Sequence, residues 1–386
     1  MRDLGFTEPT PVQLAAIPPA LAGRDVLGSA ATGSGKSAAF GLPLLQGLMD
    51  LPRGKTRVLI LAPTRELAAQ IAAHIEALAR YTKVSVAAVF GGVGFNPQVA
   101  AFRRGTDIIV ATPGRLLDHL TQGTAKLDGV ATLVIDEADR MLDMGFLPDV
   151  RRIMRKIPVQ RQTLFFSATI PAAIATLSKE ILRDPVRVDL APRTTPAHGI
   201  TQTIYSIDQQ RKADLLVELL KDDSIYSAIA FTRTKARANR LAATLEKHNI
   251  KVDRIHGDRS QAQRTRALAD FKRGKYRVLV ATDIAARGID IVELGHVVNY
   301  DVPMVPEDYV HRVGRTARAQ ATGDAITFVA PDEEKYFAQI ERALGRRLDR
   351  AKNPMLPPPA PRPANADRAS VPPRAAFANR RARARA

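Results

Sequence analysis

Short apolar runs rich in β-branched residues alternate along this chain with longer Ala/Leu/Arg stretches of helical period. RVLILAP (57–63) runs into TRELAAQIAAHIEALARY, and DIIVATP (107–113) runs into GRLLDHLTQG. TLVIDEAD (132–139), TLFFSAT (163–169) and YRVLVATD (276–283) are further apolar runs ending in polar residues. A strand apolar at every position, rather than at every second one, is buried on both faces. Such strands separated by helices build parallel sheets covered by helices on each side. The pattern predicts an α/β fold.

A weak internal repeat divides the chain. Ala111-Thr112, after DIIV, recurs as Ala281-Thr282, after RVLV, 170 positions later. Thr64-Arg65 recurs as Thr232-Arg233, after SAIAF, 168 positions later. Two similar offsets suggest two tandem copies of one βα architecture. The first copy has a glycine-rich loop near residue 35, and the matching stretch of the second, ITQTIYSIDQQ, has none. One nucleotide site is therefore expected to be shared by two lobes, 1–195 and 196–350. The prolines, glycine and polar residues of LAPRTTPAHGIT (190–201) mark the boundary. Residues 351–386 are expected to be a disordered tail, because a Pro/Ala/Arg-rich segment with few large apolar residues cannot bury enough surface to order itself.

Composition narrows the class. Of 386 residues, 57 are Lys or Arg against 39 Asp or Glu, a net charge of +18 that points to a polyanionic partner. Half of that excess lies beyond residue 345, where ten Arg and one Lys face two Asp. With no cysteine, disulfides and cysteine-based zinc sites are excluded. The opening MRDLGFTEPTPVQ lacks the apolar core of a secretory signal. No stretch approaches the roughly 18 apolar residues of a membrane span. The expected location is the cytoplasm.

Candidate chemistry starts at DVLGSAATGSGKSAAFGLPLL (25–45), where an apolar strand enters a glycine-rich turn and Gly35-Lys36-Ser37 opens a helix. Glycines let backbone N–H groups close on phosphate oxygens beside the helix N-terminus. Lys36 would reach the β and γ phosphates, and the Ser37 hydroxyl would ligate Mg²⁺. The general pattern has glycine at position 30, where this chain has Ala30; a small side chain can serve where the turn needs little room. TLVIDEADRMLDMGF (132–146) supplies the second need of a nucleotide site, a pair of carboxylates at a strand end. Asp136 would hold the metal and Glu137 would orient the attacking water. Alone, such an acidic cluster is more often a solvated loop; the phosphate loop 100 residues upstream changes that reading.

Asp136-Glu137-Ala138-Asp139 spells the signature for which the DEAD-box RNA helicases are named, and the chain resembles that family over residues 1 to about 345. GFTEPTPVQ (5–13) resembles its Q motif. The resemblance implies two RecA-like domains and an ATP site made of Phe6, Thr10, Gln13, the loop Ala31, Thr32, Gly33, Ser34, Gly35, Lys36 and Ser37, and Asp290. PTREL (63–67), Gly91-Gly92 and TPGR (112–115) look like RNA-contacting elements of the first lobe. They imply contacts from Pro63, Thr64, Arg65, Gly91, Gly92, Thr112, Pro113, Gly114 and Arg115. FTRTK (231–235), HGDRSQAQR (256–264) and ATDIAARGID (281–290) extend the RNA set to Thr232, Arg233, Arg264 and Thr282. HRVGRTAR (311–318) resembles the last family motif, with Ala317 where many members have glycine. Its Arg315 and Arg318, expected near one face of a helix, imply arginine fingers. Ser167 and Thr169, with Asp139, His311 and Asp283, are implied to couple hydrolysis to RNA. Among family branches the motifs look most like the bacterial RhlE-like one. The family places an aromatic further ahead of the Q-motif glutamine than this chain reaches, so the native start is expected upstream of Met1.

With no Trp and 5% aromatics, a base-stacking platform is not evident. Recognition should follow the sugar–phosphate backbone, with little sequence preference and strong salt dependence. The resemblance implies preference for RNA, single-stranded or short duplex, through 2′-hydroxyl contacts. The leading expectation is a monomeric ATP-dependent RNA helicase. The same motifs also suit an ATP-gated RNA clamp, and a DNA-directed motor of the same superfamily is a further alternative. The Arg-rich tail is expected to tether RNA, with protein partners a second use.

Overall fold

A computed structural model of the chain describes residues 2–30, 33–190, 200–283, 294–316, 323–354 and 356. Two seven-stranded sheets follow one another. The first contains β1 (Val26–Ser29), β2 (Val58–Leu61), β3 (Val86–Val89), β4 (Ile108–Ala111), β5 (Thr132–Ile135), β6 (Gln162–Ser167) and β7 (Val186–Asp189). The second contains β8 (Ile200–Ser206), β9 (Ala228–Thr232), β10 (Val252–Ile255), β11 (Val278–Thr282), β12 (His296–Asn299), β13 (Gly323–Val329) and β14 (Arg350–Ala351). All neighbouring strands pair in parallel.

The spatial orders are β3-β4-β2-β5-β6-β1-β7 and β10-β11-β9-β12-β13-β8-β14. Counted from its own first strand, each lobe has the same order. The weak repeat in the sequence thus reflects a duplicated architecture: Ala111 ends β4 and Ala281 nears the end of β11, its counterpart.

The continuous apolar runs are buried on both faces, as their pattern requires. In β2, Val58 and Ile60 join a core with α1 (Pro11–Leu21), α2 (Lys36–Leu48) and α3 (Arg65–Leu78). Leu59 and Leu61 point the other way, against residues of α4 (Phe95–Arg103), α5 (Pro113–Thr121), α6 (Ala138–Asp143), α7 (Leu147–Met154) and α8 (Ala172–Ile181). In the second lobe, α9 (Lys212–Leu219) and α10 (Lys235–Lys247) cover one face. The other face carries α11 (Gln261–Lys272), α12 (Pro306–Val313) and α13 (Glu334–Leu344).

Described residues just past 350, the expected boundary, still dock on the second lobe. Ala351 pairs with Tyr205 on β8, the Asn353 amide donates to Ser206 O at 2.7 Å, and Leu356 packs on the second core. A local composition change cannot register these docking contacts, because their partners lie about 150 positions upstream. The rest of the basic tail lies outside the described residues. Among those residues, no helix is long and apolar enough to cross a membrane.

Candidate nucleotide and RNA sites

In open parallel sheets, ligands bind beyond the carboxyl ends of the strands. Strand order then decides which loops are neighbours. In the first lobe, β3, β4 and β2 are adjacent and lead into Gly91-Gly92, Thr112–Arg115 and Pro63–Arg65. Next to them β5, β6 and β1 lead into Asp136-Glu137, Ser167 and the glycine-rich loop. The two groups of residues therefore occupy two halves of one sheet edge.

The nucleotide half is built around α2, which starts at Lys36 directly after the loop. Gly33 and Gly35 take φ of 83° and 95°, a left-handed conformation that glycine adopts without penalty. At Gly35 a Cβ would lie 2.6 Å from Gln13 Nε2 and 2.8 Å from Thr10 Oγ1, so the position requires glycine for space as well. Gln13 donates to Gly35 O at 3.2 Å, and the Thr10 N–H donates to Gln13 Oε1 at 3.0 Å. The Q motif thus rests directly on the loop. Thr10 Oγ1 is buried with no hydrogen-bond partner among the described residues. Ala30, the departure from the loop pattern, is fully buried in the core and its carbonyl accepts from Lys36 Nζ at 2.8 Å. Phe6 packs edge-on against His74. Ser37 is half-buried one residue into α2, and Ser34 lies in the turn before it. Ala31, Thr32 and Asp290 lie outside the described residues.

The carboxylates stand at the end of β5. Asp136 is buried and its oxygen accepts the Glu137 N–H at 3.0 Å. Burial pushes its carboxyl up to about 6, with Glu137 and Asp139 adding to the rise and Lys36 opposing it. Glu137 holds φ at 53°, a left-handed conformation that costs a non-glycine residue about 1–2 kcal/mol and often marks functional sites. Burial would raise its carboxyl too, but Arg140, then Lys36, Arg315 and His311, outweigh that and hold it below the usual range. Arg140 Nη1 donates to Glu137 Oε2 at 2.7 Å with both side chains nearly inaccessible.

Asp139 ties this group to the Ser-Ala-Thr motif. Its carboxylate accepts from the Thr169 N–H at 2.8 Å and the Thr169 hydroxyl at 3.0 Å. Its N–H donates to Ser167 Oγ, which in turn donates to Thr169 O.

The second lobe reaches the same group. His311 on α12 lies in the electrostatic field of Arg140, Asp139, Arg315 and Glu137. Burial first, then Arg140, pushes its ring down to about 4, so it is neutral at pH 7. Arg315 is buried but sits beyond the helix, which ends at Val313. The expected helical face does not extend to it, because Thr316 bridges in parallel to Leu294 and donates to Leu294 O at 2.6 Å. Arg318 lies outside the described residues. Asp283 receives Arg312 in a two-point pair, at 2.6 and 2.7 Å.

On the other half, Arg65 lies across the glycine pair: a Cβ on Gly92 would fall 2.1 Å from its Nη1, and Gly92 holds φ at 81°. Burial, then Arg264, lowers the Arg65 guanidinium, with Arg115 adding to the effect and Glu66 opposing it. Three arginines expected to contact RNA, two from the first lobe and one from the second, are thereby gathered on one face. Glu66 accepts from Gln261 Nε2 at 2.9 Å and from Arg264, bridging the lobes. Thr64 caps α3 by accepting the Leu67 N–H at 3.2 Å. Thr112 stands at the N-cap position of α5 without a side-chain hydrogen bond to it, Pro113 starts the helix, and Gly114 leaves open space beside the helix N-terminus.

Not every expected contact joins this face. The Arg233 guanidinium pairs with Glu333 at 3.0 Å, donates to Val302 O and lies over Tyr336, all within the second lobe. The Thr232 side chain is fully buried, opposite half-buried Thr282 on the neighbouring strand. Conversely, Glu66, Gln261, Arg140 and Arg312 belong to the sites without having been singled out. Arg140 carried one readable signal, its place three residues after Glu137, where helical side chains meet.

Fold and site together define a two-lobed nucleotide-dependent motor with a second, cation-lined site across the same cleft. Comparison with known proteins makes this specific. Residues 10–177 match the DEAD/DEAH box helicase family and residues 211–320 the helicase conserved C-terminal domain. DEAD-box ATP-dependent RNA helicase CshA of Bacillus subtilis is 42% identical over 353 residues, covering 92% of this chain and 71% of that protein. The chain belongs to the DEAD-box helicase family. S. cerevisiae Dbp5, solved bound to RNA and ADP BeF3, superposes with a TM-score of 0.82 at 31% identity over 90% of each chain. A DEAD box protein from Methanococcus jannaschii is more similar in sequence, 38% over 91% of this chain and 95% of its own, yet superposes at only 0.53.

Proposed function

We propose that this protein is an RNA-stimulated ATPase that uses lobe closure to separate short RNA duplexes and remodel RNA locally. The observation that carries the reading is the double meeting across one cleft: His311 and Arg315 approach Glu137, while Arg264 and Gln261 meet Glu66 beside Arg65. Two ligand sites that both need the lobes together are thermodynamically coupled, since each ligand favours the arrangement the other requires. The likeness to Dbp5 bound to RNA and ADP BeF3, over 90% of each chain and both lobes, supports taking this arrangement as the ligand-bound one.

In this reading ATP lies on the loop at the head of α2, with Gln13 reading its base and Lys36 leaving Ala30 O for the phosphates. Mg²⁺ fits the donors present, a hydroxyl on Ser37 and the Asp136 carboxylate, since this ion takes few protein oxygens and keeps phosphate and water ligands. Bound there, it would neutralise phosphate charge. Glu137, kept ionised by its cationic neighbours, accepts the proton of the attacking water. Arg315, with Arg318, stabilises charge on the transferred phosphoryl group only when the lobes are shut. Asp139, Ser167, Thr169 and His311 carry the change to the RNA half, and Asp283 does so through Arg312.

RNA runs along the first lobe's helix N-termini and Arg65, Arg115 and Arg264, contacting phosphates rather than base edges. A strand bent to fit both lobes cannot stay paired, so its partner leaves. The protein works as a monomer in the cytoplasm, with its basic tail adding unspecific RNA affinity or contacts to protein partners. The narrower RhlE-like placement rests on motif wording; the relative reported above is named CshA. The test is steady-state ATPase without nucleic acid, with RNA and with single-stranded DNA, beside Lys36→Ala. Strong stimulation by RNA alone, absent from Lys36→Ala, is expected; equal stimulation by DNA would overturn the RNA assignment.

A further inference from the structure

Two of the three arginines on the RNA face are braced by backbone or opposite charge: Arg65 over the glycine pair, Arg264 by Glu66. Arg115 is held differently. Its guanidinium lies over the ring of Phe95, 5.6 Å from the centroid. Its polar contacts are weak: Val93 O at 3.3 Å, and at 3.5 Å the Asp118 carboxylate, which is 60% exposed and so screened by solvent.

Phe95 opens α4 directly after the glycine-rich turn, and its ring lies flat on the imidazole of His119, with centroids 4.0 Å apart and planes at 12°. His119 is fully buried. Its Nδ1 meets Thr124 Oγ1 at 2.8 Å and its Nε2 meets Gln98 Oε1 at 3.3 Å, while Phe102 closes on the ring from 5.2 Å. Gln98 is itself fixed, donating to Phe90 O and Gly94 O. Burial, then Arg115, lowers the His119 ring below the usual histidine value, so a neutral imidazole supports Phe95 at pH 7.

We propose that Phe95, seated on buried His119, is a positioning residue that holds the Arg115 guanidinium toward the phosphates of bound RNA. An arginine loses side-chain freedom when it captures a phosphate, and an aromatic face that orients the guanidinium beforehand removes part of that loss. The inference rests on reading this face as the RNA site.

The experiment titrates single-stranded RNA into the ATPase assay for the parent, Phe95→Leu, Phe95→Tyr, Arg115→Ala and the Phe95→Leu/Arg115→Ala double variant. Thermal melts check folding. Phe95→Leu should raise the RNA concentration for half-maximal stimulation about three- to tenfold, with kcat at saturating RNA within about twofold. Phe95→Tyr should behave as the parent. The double variant should be no worse than Arg115→Ala, because one residue acts through the other. A parent-like Phe95→Leu beside an impaired Arg115→Ala overturns the inference and leaves the RNA site standing; additive losses also overturn it. A parent-like Arg115→Ala removes the RNA reading of this face and the inference together. Should Phe95→Leu melt early, Phe95→Met tests the same point without an aromatic ring.

Discussion

Replacing Arg140 with methionine tests how Glu137, the proposed general base, is kept ionised. The Arg140 and Glu137 side chains are 2% and 4% exposed and 2.7 Å apart. Burial alone would push Glu137 up, and Arg140 is the largest influence opposing it. Arg140→Met fills similar volume and removes the cation that most opposes the buried carboxylate's desolvation, which costs about 3–5 kcal/mol for such pairs. The protein can recover part of that by protonating Glu137, at about 1.4 kcal/mol per unit of pKa. Glu137 is depressed in the folded parent, so its pairing stabilises above the ordinary value of 4.5 and is lost as pH falls through the depressed one.

The stability gap between parent and Arg140→Met should therefore be widest at neutral pH and shrink toward pH 4. Urea unfolding at several pH values measures it. The acid limb of the RNA-stimulated ATPase profile should move up by about one unit or more, because the base now protonates earlier. Arg140→Lys, which keeps a charge without the planar fork, should fall between. A stability loss below about 1 kcal/mol with an unmoved acid limb would refute the reasoning, and would mean that Lys36 and Arg315 suffice to hold Glu137 ionised.

Burial pushes the Asp136 carboxyl up to about 6, so a proton would compete with the Mg²⁺ proposed to bind there. Affinity for the Mg²⁺ complex of a fluorescent ATP analogue should fall below pH 6 by up to about tenfold per unit, and Asp136→Asn should flatten that dependence. Truncation after Leu356, the last described residue, removes seven Arg and one Asp. The slope of log affinity for RNA against log salt should become shallower by several units if the tail contacts phosphates, and an unchanged slope would deny it that role.

Much of this was legible in local sequence. Apolar runs without alternation specify strands buried on both faces, and β2 places Val58 and Ile60 in one core and Leu59 and Leu61 in the other. The glycine-rich loop and the acidic pair are short segments whose expected chemistry rests on backbone conformation and adjacent side chains, so both could be picked out from their spelling. A faint repeat of residue pairs also sufficed to expect two like lobes, which the matching strand orders bear out.

Three things depended on tertiary structure. Strand order placed the glycine pair beside the helix N-termini, and nothing in a linear chain states which strand ends are neighbours. Burial raises Asp136 and lowers His311, whereas at Glu137 the cations packed around it, Arg140 first, outweigh burial; none of these surroundings can be read from local sequence. The partners of single side chains were equally hidden. Arg233 turned inward to Glu333, Arg315 fell past its helix, and Glu66 met Arg264 from 198 positions away. A residue's type states which bonds it can make; only the folded chain brings the partner within reach.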